Sequence, residues 1–209
     1  MLQPRPTVVV FDLGGVLVDW NPRYLYRKLF DGDEAAMERF LAEVCTPAWN
    51  DAQDRGRSFE EACALLVREH PDKQALIEAW PLRYDETMAG PVSGTVDILA
   101  ELRQRGVPLY ALSNWSAETF PKAQARFPFL GWFRGIVLSG ELRMAKPDPA
   151  IYRHLFDTFQ LRPEDTVFID DAPRNVEAAA ALGMHAVRFT DAVALRAALV
   201  EMGLLEARE

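Results

Sequence analysis

Short runs of β-branched and apolar residues alternate along this chain with stretches whose apolar positions recur every three or four residues. Val8 to Phe11 is the first run, and its unbroken apolar character predicts a strand buried on both faces. Comparable runs predict strands over 107–112, 135–138, 166–169 and 185–189. Helical spacing fills the gaps. Val92, Val96, Leu99 and Leu102 share one face of a helix that ends at Gly106. Asp148 followed by Pro149 reads as an N-cap and first helical residue, opening a helix through Ile151, Leu155 and Phe159. An alanine-rich helix stops at Gly183, and a last one runs from Asp191 to Met202.

The stretch from Asn21 to about Met88 breaks this alternation and carries only helical patterns. Leu25, Leu29 and Phe30 form one stripe, and Met37, Phe40, Leu41 and Val44 a second. Ser58 and Glu61 make a capping box ahead of Phe59, Cys63, Leu66 and Val67, and Leu76, Ile77 and Trp80 mark a fourth helix. The order predicts an α/β protein: a Rossmann-like, doubly wound parallel sheet formed by 1–18 and 89–209, with a helical cap inserted at 19–88. Gly90 and Pro91 read as the return hinge.

Composition narrows the partners. The 209 residues carry 23 Lys plus Arg against 31 Asp plus Glu, a net charge of −8, and no basic patch. Nucleic acid and anionic membrane surfaces are therefore poor partners. No stretch approaches the roughly 20 apolar residues of a membrane span, and the N-terminus lacks a signal-peptide pattern, so the expectation is a cytoplasmic protein. Cys45 and Cys63 have no metal-ligand spacing and read as buried thiols. His70, His154 and His185 share no motif, and nothing in the pattern selects between a monomer and a homodimer.

Chemistry concentrates at the ends of the strands. Asp12 follows the first and is itself followed by Gly14 and Gly15, whose freedom of φ permits a sharp turn. Ser113 and Asn114 end the second, Lys146 lies just beyond the third, and Asp170 and Asp171 end the fourth. In an open α/β sheet this is where ligands bind. Carboxylates at Asp12 and Asp170 suit a hard cation such as Mg²⁺, which takes one or two of them and keeps waters. With Lys146, such a cation would neutralise phosphoryl oxygens held by Ser113, so that Asp12 attacks phosphorus and water later cleaves the aspartyl-phosphate.

Phe11-Asp12-Leu13-Gly14-Gly15-Val16-Leu17-Val18-Asp19, Leu112-Ser113-Asn114, Lys146-Pro147-Asp148-Pro149 and Ile169-Asp170-Asp171 together resemble the four motifs of the haloacid dehalogenase superfamily, over residues 8 to 190. The insert is similar to that family's C1-type cap. The resemblance implies Asp12 as nucleophile and Ser113 and Lys146 as phosphate ligands. It places Mg²⁺ on Asp12, Asp170 and the main-chain carbonyl of Gly14, with Asp171 supporting the metal waters or Lys146. Most phosphatases of the superfamily have a second Asp two residues after the nucleophile as general acid. Here that residue is Gly14, as in a sub-branch that includes sugar-phosphate phosphatases. The expected reaction is Mg²⁺-dependent hydrolysis of a small phosphorylated metabolite. The alternatives are a 2-haloacid dehalogenase, in which Asp12 attacks carbon, and a non-catalytic module that binds a phosphorylated ligand. Gly14 favours the former; Asp170 and Asp171 oppose it. Asp19 is a candidate replacement acid, or a hinge residue. Trp20, Asn21 and Trp115 are expected near the site, with Trp20 and Asn114 among the substrate contacts. Arg55 and Arg57, beside Gly56, are candidates for an anionic substrate, and Asn175 for orienting the loop after Asp171.

Overall fold

A computed structural model of the chain describes residues 5–207. Its centre is a parallel sheet of β1 (Val8–Phe11), β4 (Leu109–Ser113), β5 (Gly135–Leu138), β6 (Thr166–Asp170) and β7 (His185–Arg188), in the order β5-β4-β1-β6-β7. β1 pairs with β4 on one side and β6 on the other, with Phe11 opposite both Ala111 and Ile169. The Rossmann-like α/β reading holds.

Neighbouring strand residues point to opposite faces, and the apolar runs supply both. Val9, Phe11, Ala111, Val167 and Ile169 face α6 (Thr95–Gln104), α7 (Phe120–Arg126) and α11 (Ala192–Glu201). Val10, Tyr110, Leu112 and Phe168 face α9 (Pro149–Phe159) and α10 (Pro173–Ala181). Asp148 caps α9 as expected, its side chain accepting from the Ala150 amide. Cys45 and Cys63 are free and buried.

The helical insert holds α1 (Arg23–Leu29), α2 (Glu34–Glu43), α3 (Pro47–Asp54), α4 (Phe59–Glu69) and α5 (Gln74–Leu82). Ser58 begins α4 by accepting from the Glu61 amide. Aromatic packing joins these helices: Trp80 contacts Trp49, Tyr26 and Trp20 at centroid distances of 5.4, 5.8 and 6.3 Å.

Three elements depart from the sequence pattern. Gly90 and Pro91, read as the return hinge, lie in β3 (Met88–Pro91), which pairs antiparallel with β2 (Val18–Trp20). Both crossings between insert and sheet thus run side by side as a ribbon too short for a period-two signal. The helix α3 was hidden by its polar composition. The unpredicted α7 clamps the insert: Lys122 donates to the carbonyls of Pro81 and Leu82, and Arg126 to those of Asp85 and Met88.

Candidate active site

The three central strands deliver their terminal polar residues to one edge of the sheet, and the insert covers that edge. Asp12 leaves β1 with its amide bonded to the Ile169 carbonyl at 2.8 Å, which fixes the start of its side chain. Its Oδ1 accepts from the Leu13 amide at 2.7 Å, the Ser113 hydroxyl at 2.8 Å and Lys146 Nζ at 2.9 Å. Among the described residues all three fall on Oδ1, which leaves Oδ2 open at a residue still 8 % exposed.

Lys146 is 1 % exposed and bridges two acids, reaching Asp170 Oδ2 at 2.6 Å as well as Asp12. Burial alone would lower its ammonium, yet Asp12 and Asp170 hold it above its usual range. Its backbone is set by Asn114, whose Oδ1 accepts from the Lys146 amide at 2.9 Å and whose Nδ2 donates to the Lys146 carbonyl at 3.0 Å. Asn114 thus uses both ends of its amide on the lysine loop while lining the cavity beside Gly14. Burial pushes the Asp12 carboxyl up to about 7, against the pull of Lys146.

The two late acids differ. Asp170 is fully buried, and its oxygens accept from Lys146, the Ala172 amide and the Asn175 side chain. Asp171 is exposed. A Cβ on Gly15, whose φ is +76°, would lie 2.8 Å from Asp171 Oδ2, so only glycine lets this acid fold over the turn. Oxygens of Asp12, Asp170 and Asp171 lie within 4.8 Å of one another, a hard-oxygen set suited to Mg²⁺.

The insert closes the other side. Gly14, Asn114 and Trp115 from the sheet side, and Trp20, Asn50, Asp54 and Tyr84 from the insert, line a cavity of about 60 Å³. Trp20 and Asn50 also line a larger pocket in the insert, about 460 Å³, with Leu41, Cys45, Pro47 and Trp80 in its wall. Burial pushes the Asp54 carboxyl up to about 8, reinforced by the charges of Asp51 and Asp12. Asp54, Asn50 and Tyr84 carry no motif in the sequence. Gly56, at φ +91°, was the available sign of a close approach: a Cβ there would lie 2.9 Å from the Gly140 carbonyl of the sheet side.

A sequence model of the haloacid dehalogenase-like hydrolases matches residues 6–183. The chain belongs to that family. As a haloacid dehalogenase-like hydrolase it is an enzyme, and phosphatases are among its relatives. It is 27 % identical over 185 residues to a sesquiterpene phosphatase of Aspergillus oryzae, covering 88 % of this chain and 90 % of that one. It is 28 % identical over 211 residues to phosphoglycolate phosphatase 1 of Pseudomonas aeruginosa, covering 88 % and 70 %. The magnesium complex of a family enzyme from Bacteroides thetaiotaomicron shares the fold, with a TM-score of 0.69 at 23 % identity over 90 % of this chain and 95 % of that one.

Other residues named from the sequence make contacts of their own in this hydrolase. Asp19 accepts the Tyr24 hydroxyl on both oxygens at 3.0 Å, and Asn21 accepts from the Arg23 amide at the start of α1. Arg57 donates to Gln53 and to the Trp49 carbonyl, while Arg55 is exposed. His185 bonds the Glu164 carbonyl at 2.9 Å. Asn175 is buried and holds Asp170. Among the described residues no helix is long and apolar enough to cross a membrane.

Proposed function

We propose that this hydrolase is a Mg²⁺-dependent phosphatase that cleaves a small phosphate monoester through an aspartyl-phosphate on Asp12. The observation that carries this reading is the asymmetric Asp12 carboxylate. One oxygen is held by the Leu13 amide, Ser113 and Lys146, and among the described residues no bond falls on the other, in a carboxylate that lies with two further acids. A group anchored in this way presents one lone pair in a fixed direction, which is what in-line attack on phosphorus needs.

Asp12, Asp171 and the Gly14 carbonyl would hold Mg²⁺, with Asp170, committed to Lys146, completing the acidic set. When bound, the cation supplies positive charge to the phosphoryl oxygens. Lys146 and Ser113 bind those oxygens from the sheet side, and Asn114 keeps Lys146 in register. The insert acts as a cap that excludes bulk water during attack and admits one water for the second step. Attack on carbon with loss of halide would also use Asp12, but it gives Asp171 nothing to do. A binding module would not need an open nucleophile.

The alcohol half of the substrate would extend from the small cavity, past Trp20 and Asn50, into the larger pocket. That pocket's lining, with Trp20, Leu41, Pro47 and Trp80 beside the paired Arg23 and Glu38 and Asp51, suits an alcohol with substantial apolar surface, in keeping with the sesquiterpene phosphatase among its relatives. Phosphate release from sugar phosphates, phosphoglycolate, prenyl monophosphates and p-nitrophenyl phosphate, with Mg²⁺ or EDTA, tests the proposal. Metal-dependent release that is lost in Asp12→Asn supports it. No release from any ester rejects it.

A further inference from the structure

Gly14 occupies the position from which a general acid would act, and no steric need explains the glycine. A Cβ built there meets nothing within 4 Å. Across the cavity that Gly14 lines is Asp54, the last residue of α3. The insert brings it to the sheet by a specific tether: Ser139, fully buried, accepts from the Trp115 amide at 3.0 Å and donates to the Asp54 carbonyl. Asn50 Nδ2 donates to Asp54 Oδ2 at 2.9 Å, which orients the carboxyl. The Ser116 amide faces it too, and the charges that act on it, from Asp51 on its own helix and Asp12 two residues before Gly14, are both acidic. The hydroxyl of Tyr84 closes the same wall.

On the phosphatase reading above, we propose that Asp54 is the general acid–base of this enzyme, supplied by the insert in place of the residue missing at Gly14. In the first half-reaction a bond forms between Asp12 Oδ2 and phosphorus. The bond from phosphorus to the alcohol oxygen breaks, and the Asp54 proton passes to that oxygen. In the second, water adds to phosphorus, the Asp12–phosphorus bond breaks, and Asp54 takes the water's proton. The sum is ester plus water giving alcohol plus phosphate, with both aspartates restored.

Leaving-group dependence tests this. A p-nitrophenolate departs without a proton, whereas an alkoxide does not. In the full chain with Mg²⁺, Asp54→Asn should slow the fastest unactivated alkyl ester of the panel by about 10²–10⁴-fold. The rapid-mixing burst of p-nitrophenol should fall less than about tenfold. Adding Gly14→Asp, for which there is room, should restore part of the alkyl-ester rate. Equal losses on both esters, or no rescue by Gly14→Asp, would overturn the assignment. So would a wild-type enzyme that cleaves p-nitrophenyl phosphate but no unactivated ester. Absence of release from every ester, p-nitrophenyl phosphate included, would instead reject the phosphatase reading beneath it.

Discussion

The two walls of the candidate active site, sheet and insert, are built on different principles. On the sheet side, Asp12, Ser113, Lys146 and Asp170 are tied to one another by bonds of 2.6–2.9 Å, and each extends from or beside a strand end. On the insert side Trp20 and Tyr84 stand beside Asn50 and Asp54, whose carboxyl is held by Asn50 of its own helix and by the Ser116 amide, and whose main-chain carbonyl accepts from Ser139. The sheet wall is positioned by the backbone ladder, so its geometry is set before a substrate arrives. The insert wall is positioned by docking, through Ser139, the α7 side chains and the β2–β3 ribbon. On the proposed reaction, charge stabilisation belongs to the first wall, and the second controls water, proton delivery and the shape of the alcohol.

Removing the proposed nucleophile breaks the comparison most severely. Asp12→Asn keeps the side-chain shape and an oxygen for Oδ1's donors, yet should reduce turnover by about 10⁴-fold or more, because residues that act as a unit fail together. EDTA should reduce the wild type to a similar background, restored by added Mg²⁺. Initial rates of phosphate release measure both.

Lys146→Ala attacks the same wall through its charges. It leaves Asp12 and the fully buried Asp170 facing each other without their shared cation. Removing one partner of such a network costs about 3–5 kcal/mol. Denaturant unfolding should show this loss, alongside loss of activity. Asn175→Ala, which strips both Asp170 oxygens of a donor while Lys146 stays, should cost less, about 1–3 kcal/mol.

How well each wall could be read from the sequence follows from the same difference. Val8–Phe11 and Gly135–Leu138 form the strands their apolar runs predict, and the acids at the strand ends converge around Lys146, which comes from a later loop. Strand-end position is local information, carried by a run of side chains and the turn after it. Asp54 is not readable in that way. It sits in the polar run Asn50-Asp51-Ala52-Gln53-Asp54-Arg55, which looks like a solvated helix face, and it is half-buried where Ser139 and Trp115, some 60 to 85 positions later, meet it. The same holds for α7, whose importance lies in carbonyls it grips across the interface rather than in its own pattern.

Ser139→Ala sharpens the comparison, since it should affect only the docked wall. The hydroxyl is fully buried and links the Trp115 amide to the Asp54 carbonyl, so its loss strands two backbone groups at the interface. The expected stability loss is about 1–3 kcal/mol, with unactivated esters slowed more than p-nitrophenyl phosphate.

Gly15→Ala should have the smallest effect on stability and the most local effect on function. A left-handed φ of +76° penalises a Cβ by about 1–2 kcal/mol. That Cβ would also fall 2.8 Å from Asp171 Oδ2, and because Asp171 is exposed, it is the side chain that gives way rather than the backbone. Asp12, Lys146 and Asp170 keep their bonds. The variant should therefore bind Mg²⁺ more weakly in a titration of activity against metal, while its rate at saturating Mg²⁺ stays near that of the wild type. A loss of rate that excess Mg²⁺ does not recover would mean that Asp171 does more than hold the cation, and that the turn after β1 shapes the phosphate site itself.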